Sequence, residues 1–516
     1  MRSRSMPGCL VAVGMVLAAA VLPAPVTSAQ DDLATFTEVG TESVPTARCG
    51  PGSSPETGLQ GDVPAEDRDS GRSKQGYRCN ASFVGGFQGT GGGMLSVTFE
   101  HCSYTGTFFP GEVLRGDGGV QVLDVSDPAN PVHTATLREP AMAGGTFETL
   151  KVNKARKLLA ASSVPLGIVG GGYFSIYDIS DCAHPRLLNK AAGTNMTMPL
   201  PFLSHEGGFS PDGNTYWASG VFPGLLSAID VSDPANPHII WQGLTGVEGH
   251  GFGISPDGNR MYLSAWAGMT VLDISAVQRR DPNPQVPHLG HRFWLDGQVT
   301  QHSIPVTYNG HPYTFTPDEI GSGGVKLIDV ADPAKLRIVE KIKLAIDLPQ
   351  NIDANVRSSQ GGSVLTYDPH YCTVDRPDDP TALACSWLSS GIRVFDVRDP
   401  GNIREIAYYN PPARTGENLN LVNSPHAQAS VIGMPLLSFI SIARSAFQGN
   451  VNILNQLSSR AALSFNGDLS SDWCLSPPEW RGTQLWTTCS DNGFMVIQLD
   501  NNVYTPPPNQ ESTVGA

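Results

Sequence analysis

The stretch Gly119-Val-Gln-Val-Leu-Asp124-Val-Ser-Asp-Pro-Ala-Asn-Pro131 reads as one β-strand that stops in a turn. Apolar and β-branched residues suit a half-buried pleat, while Asp offers an acceptor to loop N–H groups and Pro presets φ. The pattern returns as Phe174-Ser-Ile-Tyr-Asp178, Leu226-Ser-Ala-Ile-Asp230, Met269-Thr-Val-Leu-Asp273, Val325-Lys-Leu-Ile-Asp329 and Ile392-Arg-Val-Phe-Asp396. Two degenerate copies, Val451-Asn-Ile-Leu-Asn455 and Phe494-Met-Val-Ile-Gln498, bring the count to eight, at intervals of 43–67 residues. That spacing suits four-stranded propeller blades with loop insertions.

Working outward, each copy sits in a larger unit. Upstream lies a hairpin, clearest in His205-Glu-Gly-Gly-Phe-Ser-Pro-Asp-Gly213 and His250-Gly-Phe-Gly-Ile-Ser-Pro-Asp-Gly258. There Pro fixes the turn's second position and Gly accepts a positive φ. Downstream comes a fourth strand, as in His238-Ile-Ile-Trp-Gln242. Four short strands per unit, with no convincing helical period, predict an all-β propeller of eight four-stranded blades, with seven as the alternative. The last copy ends near Asn502 without room for a fourth strand, so residues 77–87 are expected to supply it and close the ring.

Composition agrees with a turn-rich array: Gly 56 and Pro 41 in 516 residues, 40% hydrophobic and only 16% charged. A formal charge of −15 offers no attraction to nucleic acid or anionic lipid. Arg2 and Arg4, an apolar run over 10–22 and small residues before Gln30 read as a signal peptide over 1–29, so the mature chain is expected to be secreted. No later stretch is long enough to span a membrane. Residues 30–76 read as an extended Gly/Pro-rich arm, 77–502 as the propeller and 503–516 as a flexible tail. Beyond Cys9 eight cysteines remain, an even number that in an oxidising compartment reads as disulfides. Repeat register places Cys372 with Cys385 and Cys474 with Cys489 across adjacent strands. Cys49, Cys79, Cys102 and Cys182 allow three pairings, of which Cys49–Cys79 with Cys102–Cys182 is preferred.

The Val-x-Val-Leu-Asp-Val-Ser-Asp-Pro-Ala-Asn-Pro units resemble the LVIVD repeat of bacterial secreted β-propeller proteins, over residues 100–500. The resemblance implies an exported propeller and no settled activity.

Chemistry is expected on the first strand of each blade. Aligned on the hairpin turn, one position holds His101, Glu148, His205, His250, His302, His370, His426 and Asp472. Innermost strands of a propeller converge on the axis, so these side chains would form a ring. Imidazoles with a few carboxylates suit a divalent transition metal such as zinc, copper or iron. The bland alternative is that each His bonds a neighbouring backbone, as buried polar groups must. The recurrent Asp is read as a turn cap rather than a site. Glu206, Glu248, Asp318 and Glu319 fall near the channel, with solvent exposure the default and Glu319 placed to orient a ligand.

Nucleophile-elbow, phosphate-loop and His-Glu-x-x-His motifs are missing. Two function classes follow. One is a secreted binding or scaffold propeller, monomeric, whose channel holds a metal ion or a small polar ligand, with a small-molecule or protein partner. The other is a metal-dependent oxidoreductase or hydrolase using the same histidines, with Glu148, Glu206 or Asp472 as base or ligand. Whether it is an enzyme is not decided by the sequence; the first class is preferred because no nucleophile–base–orienter set is visible.

Overall fold

A computed structural model describes residues 42–108, 118–163, 172–189, 197–198, 204–220, 224–266, 268–358, 367–416, 421–427 and 470–508. These residues form seven antiparallel sheets, whose strands follow the chain from the innermost outward except where N-terminal strands supply the outer edge of the sixth and seventh. The first blade runs Ser96–Phe99, Cys102–Thr105, Val120–Asp124 and Val132–Leu137. The third runs Ser204–Phe209, Thr215–Gly220, Leu225–Asp230 and His238–Leu244, and the fourth Phe252–Ile254, Arg260–Ala265, Gly268–Asp273 and His288–Phe293. The second opens with Lys151–Asn153, the fifth with Gln298–Thr300 and Ile304–Tyr308, and the sixth with Cys372–Val374.

Seven blades, not eight, is therefore the count among the described residues. The copy at 451–455 lies outside them, within the long connection from the sixth blade, whose last strand is Arg404–Asn410, to the seventh, whose first is Glu479–Arg481. A short apolar run lacking the Asp and the hairpin is a weak marker of a blade. The signal segment at 1–29 also lies outside the described residues.

Closure comes from the N-terminal side. Ala81–Phe87 pairs antiparallel with Gly493–Leu499 as the outermost strand of the seventh blade, and Tyr77–Cys79 adds a fifth strand to the sixth. Sheet hydrogen bonds thus join the two ends of the propeller segment, so opening the ring must break a full strand pairing.

Hydrophobic cores lie between neighbouring sheets. Leu123 and Val125 of the first blade meet Trp486, Phe494 and Val496 of the seventh, and Phe315 and Leu327 of the fifth meet Leu383 and Phe395 of the sixth. Inner strands are mostly buried, whereas outermost ones such as His238–Leu244 are largely exposed or half-buried. At ~25 cal/mol per Å² of apolar surface, stability is shared among interblade layers rather than held in one centre.

The repeat Asp is a turn cap. The carboxylates of Asp124, Asp178, Asp230 and Asp273 accept from the N–H two residues ahead at 2.8–2.9 Å, and Asp329 does so at 3.1 Å. Residues 42–64 contain no helix or strand and lie along the sixth blade: Glu405 accepts from the Ala47 N–H and Gln60, and the buried Arg393 pairs with Glu56 and Glu405. Disulfides join Cys49–Cys79, Cys102–Cys182, Cys372–Cys385 and Cys474–Cys489. No helix among the described residues is long and apolar enough to cross a membrane.

Candidate functional site

Strand register fixes which residues are equivalent. In every blade the residue at the repeat-Asp position pairs with the second strand, and the next residue of that strand pairs with the first. Four residues before this last partner stand Met94, Glu148, His205, His250, Gln301, His370 and Ser476, blade by blade. Glu148, His205, His250 and His370 thus occupy one level of the axis.

Their contacts cross the ring. Glu148, in the second blade, places Oε2 3.2 Å from His205 Nδ1 of the third and Oε1 3.1 Å from His370 Nε2 of the sixth. It also accepts from Gln301 Nε2 of the fifth blade and, at 3.0 Å, from the Tyr371 hydroxyl of the sixth. The rings of His205 and His250 lie 4.0 Å apart between centroids. His250 Nε2 stands 3.1 Å from Glu319 Oε2, and His370 Nε2 stands 3.4 Å from Glu319 Oε1.

Two of the imidazoles have one nitrogen committed. His370 Nδ1 lies 2.8 Å from the Leu475 carbonyl, and His250 Nδ1 lies 3.1 Å from Glu248 Oε1. An Nδ1–H donated outward leaves Nε2 as the lone-pair nitrogen facing the axis, the arrangement that orients metal-ligating histidines. The facing atoms themselves, His205 Nδ1, His250 Nε2, His370 Nε2 and Glu148 Oε1, are buried without an aligned hydrogen bond. Donor atoms of Glu148, His205 and His250 all lie within 4.8 Å of one another, close enough to hold a metal ion.

Burial and neighbouring charge set the protonation states. Burial would raise Glu148, but the His205 and His370 imidazoles hold it well below the usual carboxylate range. Burial would also raise Glu319, yet His250 and His370 bring it to about 2. In return His370, which burial alone would lower, is pushed up to about 10 by Glu148 and Glu319, and His250 rises for the same kind of reason through Glu248 and Glu319. Without a metal, then, imidazolium–carboxylate pairs balance the charge. Burial raises Glu206 against the opposing Lys151 ammonium, 3.0 Å away.

Four expected positions fall elsewhere. His101 is an exposed turn residue between the first two strands of its blade, beside the Cys102–Cys182 disulfide; Met94 takes its place on the axis. His302 is one residue out of register: the fifth blade's inner strand is interrupted between Gln298–Thr300, which carries Val299 at φ 53°, and Ile304–Tyr308, and its pairing puts Gln301 at the equivalent position. It stacks on Tyr371 at 4.3 Å between centroids, and burial and Lys151 lower its pKa to about 3. His426 lies within 425–427, which are helical rather than strand, its Nδ1 2.9 Å from Asp491 Oδ2 and its ring stacked on Trp473. Asp472 precedes the axial level and accepts from the N–H groups of Trp473, Asp491 and Asn492, which reads as loop bracing. Glu206, Glu248 and Glu319 are buried or nearly so rather than solvated, and Asp318 is taken up by Lys326, Trp294 and Thr300. The sequence reading missed Gln301 and Tyr371; each adjoins a candidate His, and strand alternation is the signal that could have found them.

Fold and site together define a β-propeller with a buried His/Glu cluster on its axis. The LVIVD repeat family model matches residues 114–136, a single copy of the repeat that includes the third strand of the first blade. No curated protein sequence matches it. Similar solved structures include the periplasmic gluconolactonase of Pseudomonas aeruginosa, at 15% identity over 58% of this chain and 80% of that one, TM-score 0.42. A functionally unknown protein from Desulfotomaculum acetoxidans aligns at 10% identity over 61% and 84%, TM-score 0.42. A Lactobacillus plantarum protein aligns at 14% over 62% and 85%, TM-score 0.43.

Proposed function

We propose that this is a secreted metal-binding propeller, in which His205, His250 and Glu148, with His370 adjacent, hold a divalent transition metal such as zinc, copper or iron. One observation carries the reading. Imidazole nitrogens and carboxylate oxygens from separate blades converge at 3.1–3.2 Å without the alignment of a hydrogen bond. Ligands held ~2.0–2.2 Å from one ion stand about that far from each other. Direct hydrogen bonding would instead put a proton on the line between them. Four disulfides suit an oxidising compartment and support export.

A second reading, turnover at the same ion, is favoured by Glu206. Its Oε2 is buried beside the site without a hydrogen-bond partner, where a base acting on metal-bound water would stand.

Metal analysis of the purified mature protein, before and after reconstitution with zinc, copper and iron, tests the first reading. Tightly bound metal in the native protein, lost in His205→Ala and in His250→Ala, is the expected result. A folded native protein that takes up none of the three overturns it. Hydrolysis or oxidation that needs the metal and vanishes in Glu206→Gln, with metal retained, would establish the second.

A further inference from the structure

The axial carboxylates divide their oxygens. Glu148 sends Oε2 to His205 and Oε1 to His370, at 3.2 and 3.1 Å. Glu319 sends Oε2 to His250 and Oε1 to His370, at 3.1 and 3.4 Å. One oxygen of each glutamate thus faces the His205/His250 pair, whose rings lie 4.0 Å apart, and the other faces His370 alone. Two bidentate acids with their oxygens parted between two sets of imidazoles is the layout of a carboxylate-bridged pair of ions, about 3.5–4 Å apart.

Charge and hydrogen bonding point the same way. Four carboxylates, Glu148, Glu206, Glu248 and Glu319, are buried or nearly so at this level; Lys151 pairs with Glu206, and the other three are paired with imidazoles. With those imidazoles neutral as metal ligands, three charges remain, and one divalent ion offsets two. His370 Nε2 faces two carboxylate oxygens but can carry one proton, and its Nδ1 is committed to the Leu475 carbonyl. Glu148 Oε1 and His370 Nε2 are both buried with no aligned hydrogen bond, so the second set has its own unsatisfied atoms rather than borrowing those of the first.

We infer that the axis holds two divalent ions, one on His205, His250, Glu148 Oε2 and Glu319 Oε2, the other on His370, Glu148 Oε1 and Glu319 Oε1. This rests on the axial metal reading above and deepens it. The two glutamates bridge the ions, and His250 and His370 are aimed by Glu248 and by the Leu475 carbonyl. Such a pair could clamp one anionic oxygen ligand, a carboxylate, phosphate or hydroxide, between its members.

Equilibrium dialysis of the chelator-treated full-length mature protein against Co(II) decides the matter. Expected are two Co(II) per chain with the magnetic coupling of a bridged pair, falling to one uncoupled Co(II) in Glu319→Gln and in His370→Gln. One Co(II) per chain in the native protein, unchanged by either substitution, overturns the pair while leaving the single-ion site standing. No Co(II) at all overturns both readings. Because the native stoichiometry alone separates these outcomes, the test survives a variant that fails to fold.

Discussion

Glu148 and His370 belong to the second and sixth blades, yet Oε1 of one stands 3.1 Å from Nε2 of the other with neither side chain exposed. This contact spans the axis, and without metal it is a buried ion pair. Removing one partner of such a pair leaves the other charged and unsolvated, at a cost of about 3–5 kcal/mol. Glu148→Ala should therefore lower the denaturation free energy of the metal-free protein by roughly that amount, since Gln301 and Tyr371 also lose their acceptor. His101→Ala, in an exposed turn, should stay within ~0.5 kcal/mol and leave metal content unchanged. Equal losses in the two variants would contradict the axial placement.

Gly85 tests the closure of the ring. A Cβ there would meet the carbonyl oxygens of Pro128 and Ala129 at 2.4 Å, where the closing strand passes the turn of the first blade. Backbone cannot step aside as a flexible side chain does. Gly85→Val should cost on the order of 1–3 kcal/mol, more if the strand detaches. Proteolysis should then cut near residues 81–87 before the rest of the propeller. A variant as stable and protease-resistant as the native protein would argue against a closure dependent on this strand.

Those two predictions rest on features of unequal visibility in the sequence. Blades, hairpins and turn caps were legible because each is written in a local pattern: alternation, Ser-Pro-Asp-Gly, Asp before Pro; the closing strand followed instead from the last copy's lack of room for a fourth strand. The count was harder, because the run at 451–455 has the apolar alternation of a blade strand without its Asp. At the site, Glu148, His205, His250 and His370 followed from register. His302 did not, because the fifth blade's inner strand is interrupted between Thr300 and Ile304 and its register puts Gln301 on the axis. Nor was the part played by Glu319 evident. It arrives from the end of the second strand of its blade, His311–Ile320, where no repeat position marks it.

Lys343 offers a test with a defined sign. Three ammonium groups converge on Asp296: Lys341 at 2.9 Å, Lys326 at 3.5 Å and Lys343 at 3.6 Å. Burial first, then its two cationic neighbours, lower Lys343 from 10.5 to about 8, against the attraction of Asp296. A base depressed in the folded state penalises folding fully below pH 8, and the penalty fades as pH rises toward 10.5. Lys343→Met should be more stable than the native protein at pH 7, by on the order of 1–3 kcal/mol. That advantage should shrink toward zero by pH 10.5 in denaturant titrations. A variant less stable at pH 7 would mean that Asp296 depends on its third cation.

Gly251 follows His250 just before the fourth blade's inner strand, and its missing side chain is what lets the site close. A Cβ at this position would stand 1.9 Å from Glu206 Oε2 and 2.2 Å from the Gln301 carbonyl. Glu206 could swing away only by giving up Lys151, its 3.0 Å partner, while the Gln301 backbone belongs to the segment whose side chain reaches Glu148. Gly251→Ala should therefore disturb Glu206 and Gln301 together, while the interblade cores, which lie farther out, keep the propeller folded. The expected outcome is a folded protein by circular dichroism that has lost about tenfold or more in metal affinity, in the range seen when groups that orient metal ligands are displaced. Competition against a chelator of known affinity measures this directly. Unchanged affinity would show that the packing of Glu206 and Gln301 against the fourth blade does not support the ligand set.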